Sequence, residues 1–236
     1  MGYLFLGVLM MLSCTSNSFE INDIPRPTHE LKVVKTETRL AAKSREATVK
    51  VVAVVGENIT VATGTVVRYK GHNLVITAAH ALGTPPFSAG VEINGEYILT
   101  KVVYFSDRDD LAMLLLPETV YARPIRFRPK KKGNLKIGEE LIYSGYPNND
   151  SLLTIKGYVA SIMSSGDFYI HSYGWSGASG SCLFDVEGRL VGVLVAVGIG
   201  EDITGAPTVI EDMVYVTPIW KLDLNILGFN LKVLDK

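Results

Sequence analysis

The stretch "GTVVRYKGHNLVITAAH", from Gly64 to His80, contains two short runs of β-branched and apolar residues with turn residues between them. Val, Ile and Thr are enriched in strands, because their branched side chains pack well on a pleated surface. Similar runs follow one another from "TVKVVAVVG" to "MVYVTPI", and no amphipathic helix separates them. This spacing predicts an all-β fold, an antiparallel barrel or sandwich, and argues against a parallel α/β sheet.

The sequence pattern before and after this β region does not predict strands. Residues 15–46 are polar and charged without sustained periodicity, which predicts a linker, so the folded domain should begin at residue 47. The segment "TPIWKLDLNILGFN" is the candidate helix, predicted over residues 218–228, because Pro218 can open a helix and Gly228 can close it. The basic run "RPKKK", from Arg128 to Lys132, predicts a solvated loop, with a binding patch as the alternative.

Composition limits the classes of function. The chain has 236 residues, 47% of them hydrophobic, and is therefore long enough to bury a sizeable core. Its 23 basic and 24 acidic residues leave a net charge of −1, which gives no overall field to attract nucleic acid. The only cysteines are Cys14 and Cys182, too few for a disulfide framework or a cysteine-based metal site. We expect no metal, no cofactor and no nucleic-acid partner.

The first 14 residues predict a secretory signal. "MGYLFLGVLMMLS" is apolar almost throughout, and it is too short to span a bilayer. The following Cys14 resembles the lipid-modified cysteine of bacterial lipoproteins, although Leu12 lies one place late and no Lys or Arg precedes the apolar run. We expect export to the periplasm or cell envelope with membrane attachment through lipidated Cys14. An ordinary signal peptide and a buried N-terminal segment are the alternatives.

Two residues at strand boundaries could carry proton chemistry. His80 ends the apolar strand "LVITAAHAL", and histidine can accept and donate a proton near neutral pH. Asp110 comes directly before the apolar run "LAMLLLP", so we expect it at the edge of the core. Asp107 and Asp109 are predicted to be solvated turn residues.

The stretch "GWSGASGS", from Gly174 to Ser181, offers two candidate nucleophiles, Ser176 and Ser179. A nucleophilic serine needs an exposed turn, small neighbours and backbone N–H groups directed at the developing oxyanion. The hairpin "CLFDVEGRLVGVLVA" begins three residues after Ser179, whereas Ser176 lies further out in the loop. Ser179 is therefore the predicted nucleophile, with the N–H groups of Gly177 and Ser179 as the oxyanion hole.

The motifs "TAAH", "DLA" and "GASGSCLFD", in this order, resemble those of the trypsin-like (chymotrypsin-fold) serine proteases. The resemblance covers about residues 47–228 and includes "KIGEELIYSGYP", "TIKGYVASI" and "MVYVTPI". Within the family the chain looks most like the protease domain of bacterial Deg-type (high-temperature-requirement) proteases without their C-terminal peptide-binding domain. The resemblance implies two packed antiparallel β-barrels, over residues 47–128 and 129–217, followed by the C-terminal helix.

The resemblance also implies roles for individual residues. Ser179 would attack the peptide carbonyl of a protein or peptide substrate, His80 would act as base and then acid, and Asp110 would orient His80. Three positions depart from the family pattern: Ala178 stands where Asn or Asp is common, Ser181 where Gly is common, and Cys182 where Pro is usual.

The same resemblance places the primary pocket beside two segments, "HSYGWS" and "LVAV". Neither contains Asp or Glu, so a buried Lys or Arg of the substrate would be unpaired at a cost of several kcal/mol. A small or medium apolar side chain is expected instead, and His171 leaves open a preference for Glu. The predicted pocket residues are His171, Tyr173, Leu194, Val195 and Val197.

Two other classes of function compete with a serine endopeptidase. A catalytically impaired pseudoprotease would keep the fold as an exported binding module, with a turn distorted by Ala178 and Cys182. A structural surface lipoprotein would only present loops to partners, and its His80 and Ser179 would not converge.

Overall fold

The computed structural model describes residues 38–85, 89–201 and 204–234. The predicted signal segment, residues 1–14, Cys14 included, lies outside the described residues, as do residues 15–37 of the predicted linker. None of the described helices has the length and apolarity needed to cross a membrane.

Two β assemblies make up the described part of the chain, and one helix flanks them at each end. Strands β1–β8 belong to the first assembly and β9–β14 to the second. In chain order the elements are α1 (Arg39–Ala47), β1 (Thr48–Val55), β2 (Asn58–Tyr69), β3 (His72–Thr77), β4 (Ala89–Ile93), β5 (Glu96–Leu99), β6 (Lys101–Ser106), β7 (Leu111–Leu115), β8 (Ile125–Arg126), β9 (Glu140–Gly145), β10 (Leu153–Ile162), β11 (Phe168–His171), β12 (Cys182–Asp185), β13 (Leu190–Glu201), β14 (Pro207–Pro218) and α2 (Leu224–Leu234).

The first assembly is a half-barrel with the strand order β5-β4-β1-β2-β3-β7-β6, and the short β8 pairs in parallel with β2. The second is a closed barrel of six strands, β10-β11-β14-β13-β12-β9. All pairings within these two paths are antiparallel. The predicted all-β architecture of two packed antiparallel barrels with a C-terminal helix is thereby confirmed.

Three apolar cores hold these elements together. One fills the half-barrel around Val51, Val75 and Leu114, and another fills the closed barrel around Tyr143, Phe168 and Leu194. The third lies between the two barrels and includes side chains from both, such as Ile76 and Phe184, together with residues of both helices. Packing between the two barrels therefore fixes how the elements of one barrel lie against those of the other.

The end of the predicted linker is a helix, which corrects the boundary placed at residue 46. The Thr38 side chain caps α1 by accepting from the Ala41 N–H at 3.2 Å. Three small residues spaced three apart, Ala41, Ser44 and Ala47, are buried. Small residues contribute little to an amphipathic pattern, and charged residues lie between them. The sequence therefore contains no signal of a buried helix face.

The C-terminal helix begins later than the predicted residue 218. Pro218 precedes only a short 3-10 turn, Ile219–Lys221, while the Asp223 side chain accepts from the N–H groups of Asn225 and Ile226. An aspartate in this capping position satisfies otherwise unpaired N–H groups of the first turn. Gly228 lies inside α2 and does not end it.

The prediction of a solvated loop at Arg128–Lys132 is wrong for Lys130, which is only 2% exposed. Its ammonium group contacts the Glu139 carboxylate and lies 3.1 Å from the fully buried carboxylate of Asp185. Its backbone N–H also donates to the Leu190 carbonyl at 2.7 Å. These contacts fix the connection between the barrels to the β12–β13 hairpin. A charged side chain can be buried at acceptable cost only when it is paired, as Lys130 is here.

Asp185 is the centre of this buried network. Burial by itself would raise the pKa of Asp185, but hydrogen bonds from the Arg189 side chain and backbone and from Lys130 outweigh it and hold the pKa below its ordinary value. The ionised carboxylate therefore stabilises the fold. Its contribution is complete above the unfolded-state pKa of about 3.9 and is lost as the pH falls through the lower folded-state pKa.

We expect Asp185→Asn to lower the free energy of unfolding by about 3 kcal/mol at pH 7, because it removes the fully buried carboxylate that pairs with both Lys130 and Arg189 and leaves Glu139 as the only carboxylate partner of Lys130 among the described residues. The difference from wild type should shrink as the pH falls below 4, as followed by urea unfolding at several pH values. Glu187→Gln is the matched control, since Glu187 is an exposed partner of Arg189 and should contribute below about 1 kcal/mol. Equal losses in both variants at pH 7 would contradict the assignment.

Candidate active site

His80 lies in a 3-10 turn, Ala79–Leu82, directly after β3 and residue 78. Its neighbours Ala79, Ala81 and Leu82 are buried, so they anchor the turn in the half-barrel. The His80 side chain is 50% exposed. The buried neighbours thus hold the backbone of the turn, while the imidazole stays exposed.

Asp110 is brought to His80 by the pairing of β3 with β7. Thr77 at the end of β3 lies opposite Ala112 in β7, so the residues just beyond both strand ends share one edge. Asp110 has a positive φ of 51°, a left-handed conformation that Asp tolerates better than most residues. It closes the turn before β7, with its N–H donating to the Asp107 carbonyl at 3.3 Å.

Both carboxylate oxygens of Asp110 bind His80. The His80 backbone N–H donates to Oδ1 at 2.8 Å, and Nδ1 of the ring lies 2.7 Å from Oδ2. A carboxylate can only accept, so Nδ1 carries the proton and Nε2 is left as the free acceptor of the neutral ring. The arrangement fixes both the tautomer and the direction of the imidazole, as a general base requires.

The turn that carries Ser179 lies against the same edge of the half-barrel. The Thr63 N–H donates to the Ser179 carbonyl at 2.9 Å. Gly180 has a φ of +92°, and a Cβ there would collide with the Thr63 carbonyl and with Oγ1 of Thr77. The serine backbone therefore packs on the end of β3, just before the turn that carries His80. Ser179 is half-buried, whereas Ser176 is exposed.

All four carbonyls from residue 176 to residue 179 accept hydrogen bonds. The donors are Asn148 N for Ser176 (2.5 Å), Thr63 Oγ1 for Gly177 (2.8 Å), Ser181 N and Oγ for Ala178 (3.1 and 2.7 Å) and Thr63 N for Ser179 (2.9 Å). Among the described residues, the N–H groups of Gly177 and Ser179 have no acceptor. This is the pattern that an oxyanion hole requires, with carbonyls engaged elsewhere and two N–H groups available.

Residues 62–193, more than half of the chain, match the family described as the trypsin-like peptidase domain. The chain belongs to this family. No curated protein sequence matched the chain.

Solved structures with this fold include bacterial proteases of low sequence identity. The active form of the Rv3671c protease from M. tuberculosis superposes with a TM-score of 0.60 at 18% identity, covering 77% of this chain and 80% of that one. The serine endoprotease from Yersinia pestis gives 0.63 at 19% identity, covering 83% and 68%. The HtrA-type protease AlgW with tripeptide gives 0.61 at 15% identity, covering 83% and 61%. These similarities establish the chymotrypsin-like fold.

The three departures from the usual pattern of this trypsin-like family each have a local explanation. Ala178 is buried in the core of the closed barrel. The Ser181 hydroxyl occupies the space above Gly145, where a Cβ would collide with it. The Cys182 N–H donates to Thr65 Oγ1 at 3.3 Å, a bond that proline could not make. Burial raises the pKa of the Cys182 thiol to about 12, although its hydrogen bond with Thr65 acts the other way.

Two of the predicted pocket residues of this trypsin-like domain lie on the surface of the closed barrel. His171 ends β11, its ring stacks on Tyr158 with a centroid distance of 5.2 Å, and its Nε2 lies 3.4 Å from Asp212 Oδ2. The exposed Tyr173 contributes its carbonyl, which accepts from the Tyr143 hydroxyl.

The other three predicted pocket residues lie on β13. The pocket role of Leu194 and Val195 stays a prediction: Leu194 packs inside the closed barrel, and Val195 packs in the core between the barrels. A shift of register between Leu194 and Ala196 buries these two consecutive side chains on different faces. Val197 is half-buried and packs against Gly174, where an added Cβ would lie only 2.9 Å from Val197 Cγ1.

Sequence reasoning missed Thr63 and the loop around Asn148. Both contact the Ser179 turn, and both come from segments remote from it in sequence. The consecutive asparagines after "GYP" were the available signal, because Asn adopts left-handed turn conformations readily. Within the described ranges no group of three His, Cys, Asp or Glu side chains could hold a metal ion.

Proposed function

We propose that this trypsin-like peptidase domain is a serine endopeptidase that hydrolyses peptide bonds through an acyl-enzyme. Family membership supports a protease whose substrates are proteins or peptides. Ser179 is the proposed nucleophile, His80 the base and then acid, and Asp110 the residue that orients His80. The observation that carries the proposal is the clamp of both Asp110 oxygens on His80, at 2.8 and 2.7 Å.

The chemistry follows the order of the proton transfers. Nε2 of His80 takes the hydroxyl proton as Ser179 Oγ bonds to the substrate carbonyl carbon, and Asp110 stabilises the resulting imidazolium. The imidazolium then gives its proton to the departing amine as the peptide C–N bond breaks. Water, deprotonated by His80, hydrolyses the ester in the same way. Every group in this sequence belongs to the protein, the substrate or water, so no cofactor is required.

The orientation of the turn supports stabilisation of the oxyanion. The carbonyls of residues 176–179 accept hydrogen bonds from Thr63 of the half-barrel, from the Asn148 loop and from Ser181. The N–H groups of Gly177 and Ser179 are therefore available where negative charge develops. One such donor typically contributes about 10²–10³ in turnover.

We expect Ser179→Ala to lower turnover by several orders of magnitude and to abolish covalent labelling by a fluorophosphonate. Ser176→Ala is the matched control, because Ser176 is exposed and lies in the same turn. It should retain labelling and most of the activity. Exchanged phenotypes would overturn the choice of nucleophile, and a folded wild-type protein that is not labelled would favour the pseudoprotease.

For substrate preference we propose a small or medium apolar side chain on the acyl side of the scissile bond. The packing of Val197 and Val214 against Gly174 supports an apolar wall beside the turn. The contact of His171 with Asp212 argues against Glu, because the histidine already has an anionic neighbour. Discrimination among aliphatic groups should be modest, about 1–3 kcal/mol per methylene.

Cleavage of a mixed peptide library, read by mass spectrometry, should show cutting mainly after small and medium aliphatic residues. Ser179→Ala serves as the blank that removes cleavage by contaminants. Dominant cutting after Glu would instead assign His171 to the pocket. Dominant cutting after Arg or Lys would contradict the proposed apolar preference, because the two pocket segments contain no carboxylate to pair with a basic side chain.

We also propose export to the cell envelope with a lipid anchor at Cys14. The support is the short apolar run ending in "MLSCTS". One acyl chain binds membranes only marginally, so stable attachment needs a second chain. Mass spectrometry of the mature N-terminus should find Cys14 as the first residue, carrying lipid. An unmodified terminus at another residue would refute lipidation.

A further inference from the structure

The peptide bond between Ser176 and Gly177 has its orientation set from outside the turn. A trans peptide is planar, so its C=O and N–H point in opposite directions. The Ser176 carbonyl accepts from the backbone N–H of Asn148 at 2.5 Å. The Gly177 N–H must therefore point away from Asn148, and it has no acceptor among the described residues.

We propose that Asn148 is a positioning residue whose backbone N–H holds the Ser176–Gly177 peptide in the orientation that opens the oxyanion hole. The inference rests on the proposed function and adds a residue that neither the motifs nor the family match assigns. Rotation of this one peptide would turn the Ser176 carbonyl toward the hole and remove the Gly177 donor. The bond to Asn148 opposes that rotation.

The backbone of Asn148 is suited to this role by an uncommon conformation. Asn148 has φ 58° and ψ 19°, and Asn149 also has a φ of 58°. Two consecutive left-handed residues are costly for most side chains but tolerated by Asn. This conformation directs the Asn148 N–H at the Ser176 carbonyl while the Asn149 N–H donates to the Tyr146 carbonyl at 3.0 Å.

The loop that carries Asn148 is fixed at both ends. The Tyr146 N–H donates to Thr63 Oγ1 at 3.0 Å, the same hydroxyl that donates to the Gly177 carbonyl. Beyond the loop, the Arg45 guanidinium of α1 donates to the Leu152 carbonyl at 3.0 Å and to Thr154 Oγ1 at 3.1 Å. A loop held in this way can resist displacement of the turn.

The fit between the loop and the turn is close. Gly177 has a φ of +91°, and a Cβ there would collide with the Tyr146 carbonyl and with Asn149. Ala178, where the family commonly has Asn or Asp, has no polar side chain that could fix the turn from within. The orientation of the Ser176–Gly177 peptide thus depends on the loop.

The test compares Asn148→Val with Asn148→Gly in the full-length protein. Valine disfavours the left-handed conformation, whereas glycine adopts it and keeps the N–H. We expect Asn148→Val to lower kcat by roughly 10- to 100-fold and to change KM by less than about threefold. A loss of this size would be part or all of the effect of removing one oxyanion donor. Asn148→Gly should stay within about threefold of wild type in both constants.

Asn94→Val is the matched control for strain. Asn94 also has a positive φ, 54°, in the exposed turn between β4 and β5, and β4 is separated from β3 by β1 and β2 in the half-barrel. The thermal stability of Asn94→Val should fall about as much as that of Asn148→Val, and the kcat of Asn94→Val should be unchanged. An equal loss of kcat in the two valine variants would assign the effect to stability and overturn the proposal.

A peptide aldehyde based on the best library substrate gives a second readout. The aldehyde forms a tetrahedral adduct with an oxyanion, so its affinity should fall in Asn148→Val by about the same factor as kcat/KM. A wild-type protein that cleaves peptides while Asn148→Val keeps its kcat and aldehyde affinity would overturn this inference alone. A folded wild-type protein with neither cleavage nor labelling would overturn the proposed function and this inference together.

Discussion

The candidate site depends on one buried residue of the half-barrel, Thr63. Its N–H donates to Ser179, its hydroxyl donates to Gly177 and accepts from Tyr146, and its carbonyl accepts from Thr77. Every polar group of this fully buried residue is paired, as burial requires. The bonds join three segments of the chain that packing alone would only bring near one another.

This arrangement explains how two separately built barrels can contribute to one candidate site. His80 and Asp110 are aligned within the half-barrel by the pairing of β3 with β7, and apolar packing brings the closed barrel against it. Apolar contacts tolerate small sliding movements because they have little directionality. Hydrogen bonds from Thr63 lose strength steeply with distance and angle, so they define the position of the Ser179 turn more narrowly.

The β architecture, the histidine and the aspartate were predictable from the sequence because they depend on local patterns. Apolar runs end at His80 and begin after Asp110, and the pairing of β3 with β7 brings the two residues together. The roles of Lys130, Val195 and Thr63 were not predictable. A buried ion pair, a shift of register and a hydroxyl bonded across the domain each involve residues far apart in sequence, for which a single chain offers no periodic signal. Helix α1 was missed because its buried residues are small.

The departures at Ser181 and Cys182 can be understood from the geometry of β2. Thr63 and Thr65 lie two residues apart on one face of the strand, so their hydroxyls are spaced by about 6.6–6.8 Å. Thr63 holds the turn at Gly177 before the serine, and Thr65 holds Cys182 after it. Cysteine supplies the N–H that this second contact needs, and Ser181 fits between the contacts because Gly145 leaves room for its hydroxyl. The strand therefore acts as a fixed support on both sides of Ser179, and substitutions that preserve its two hydroxyl contacts leave the backbone of the turn in place.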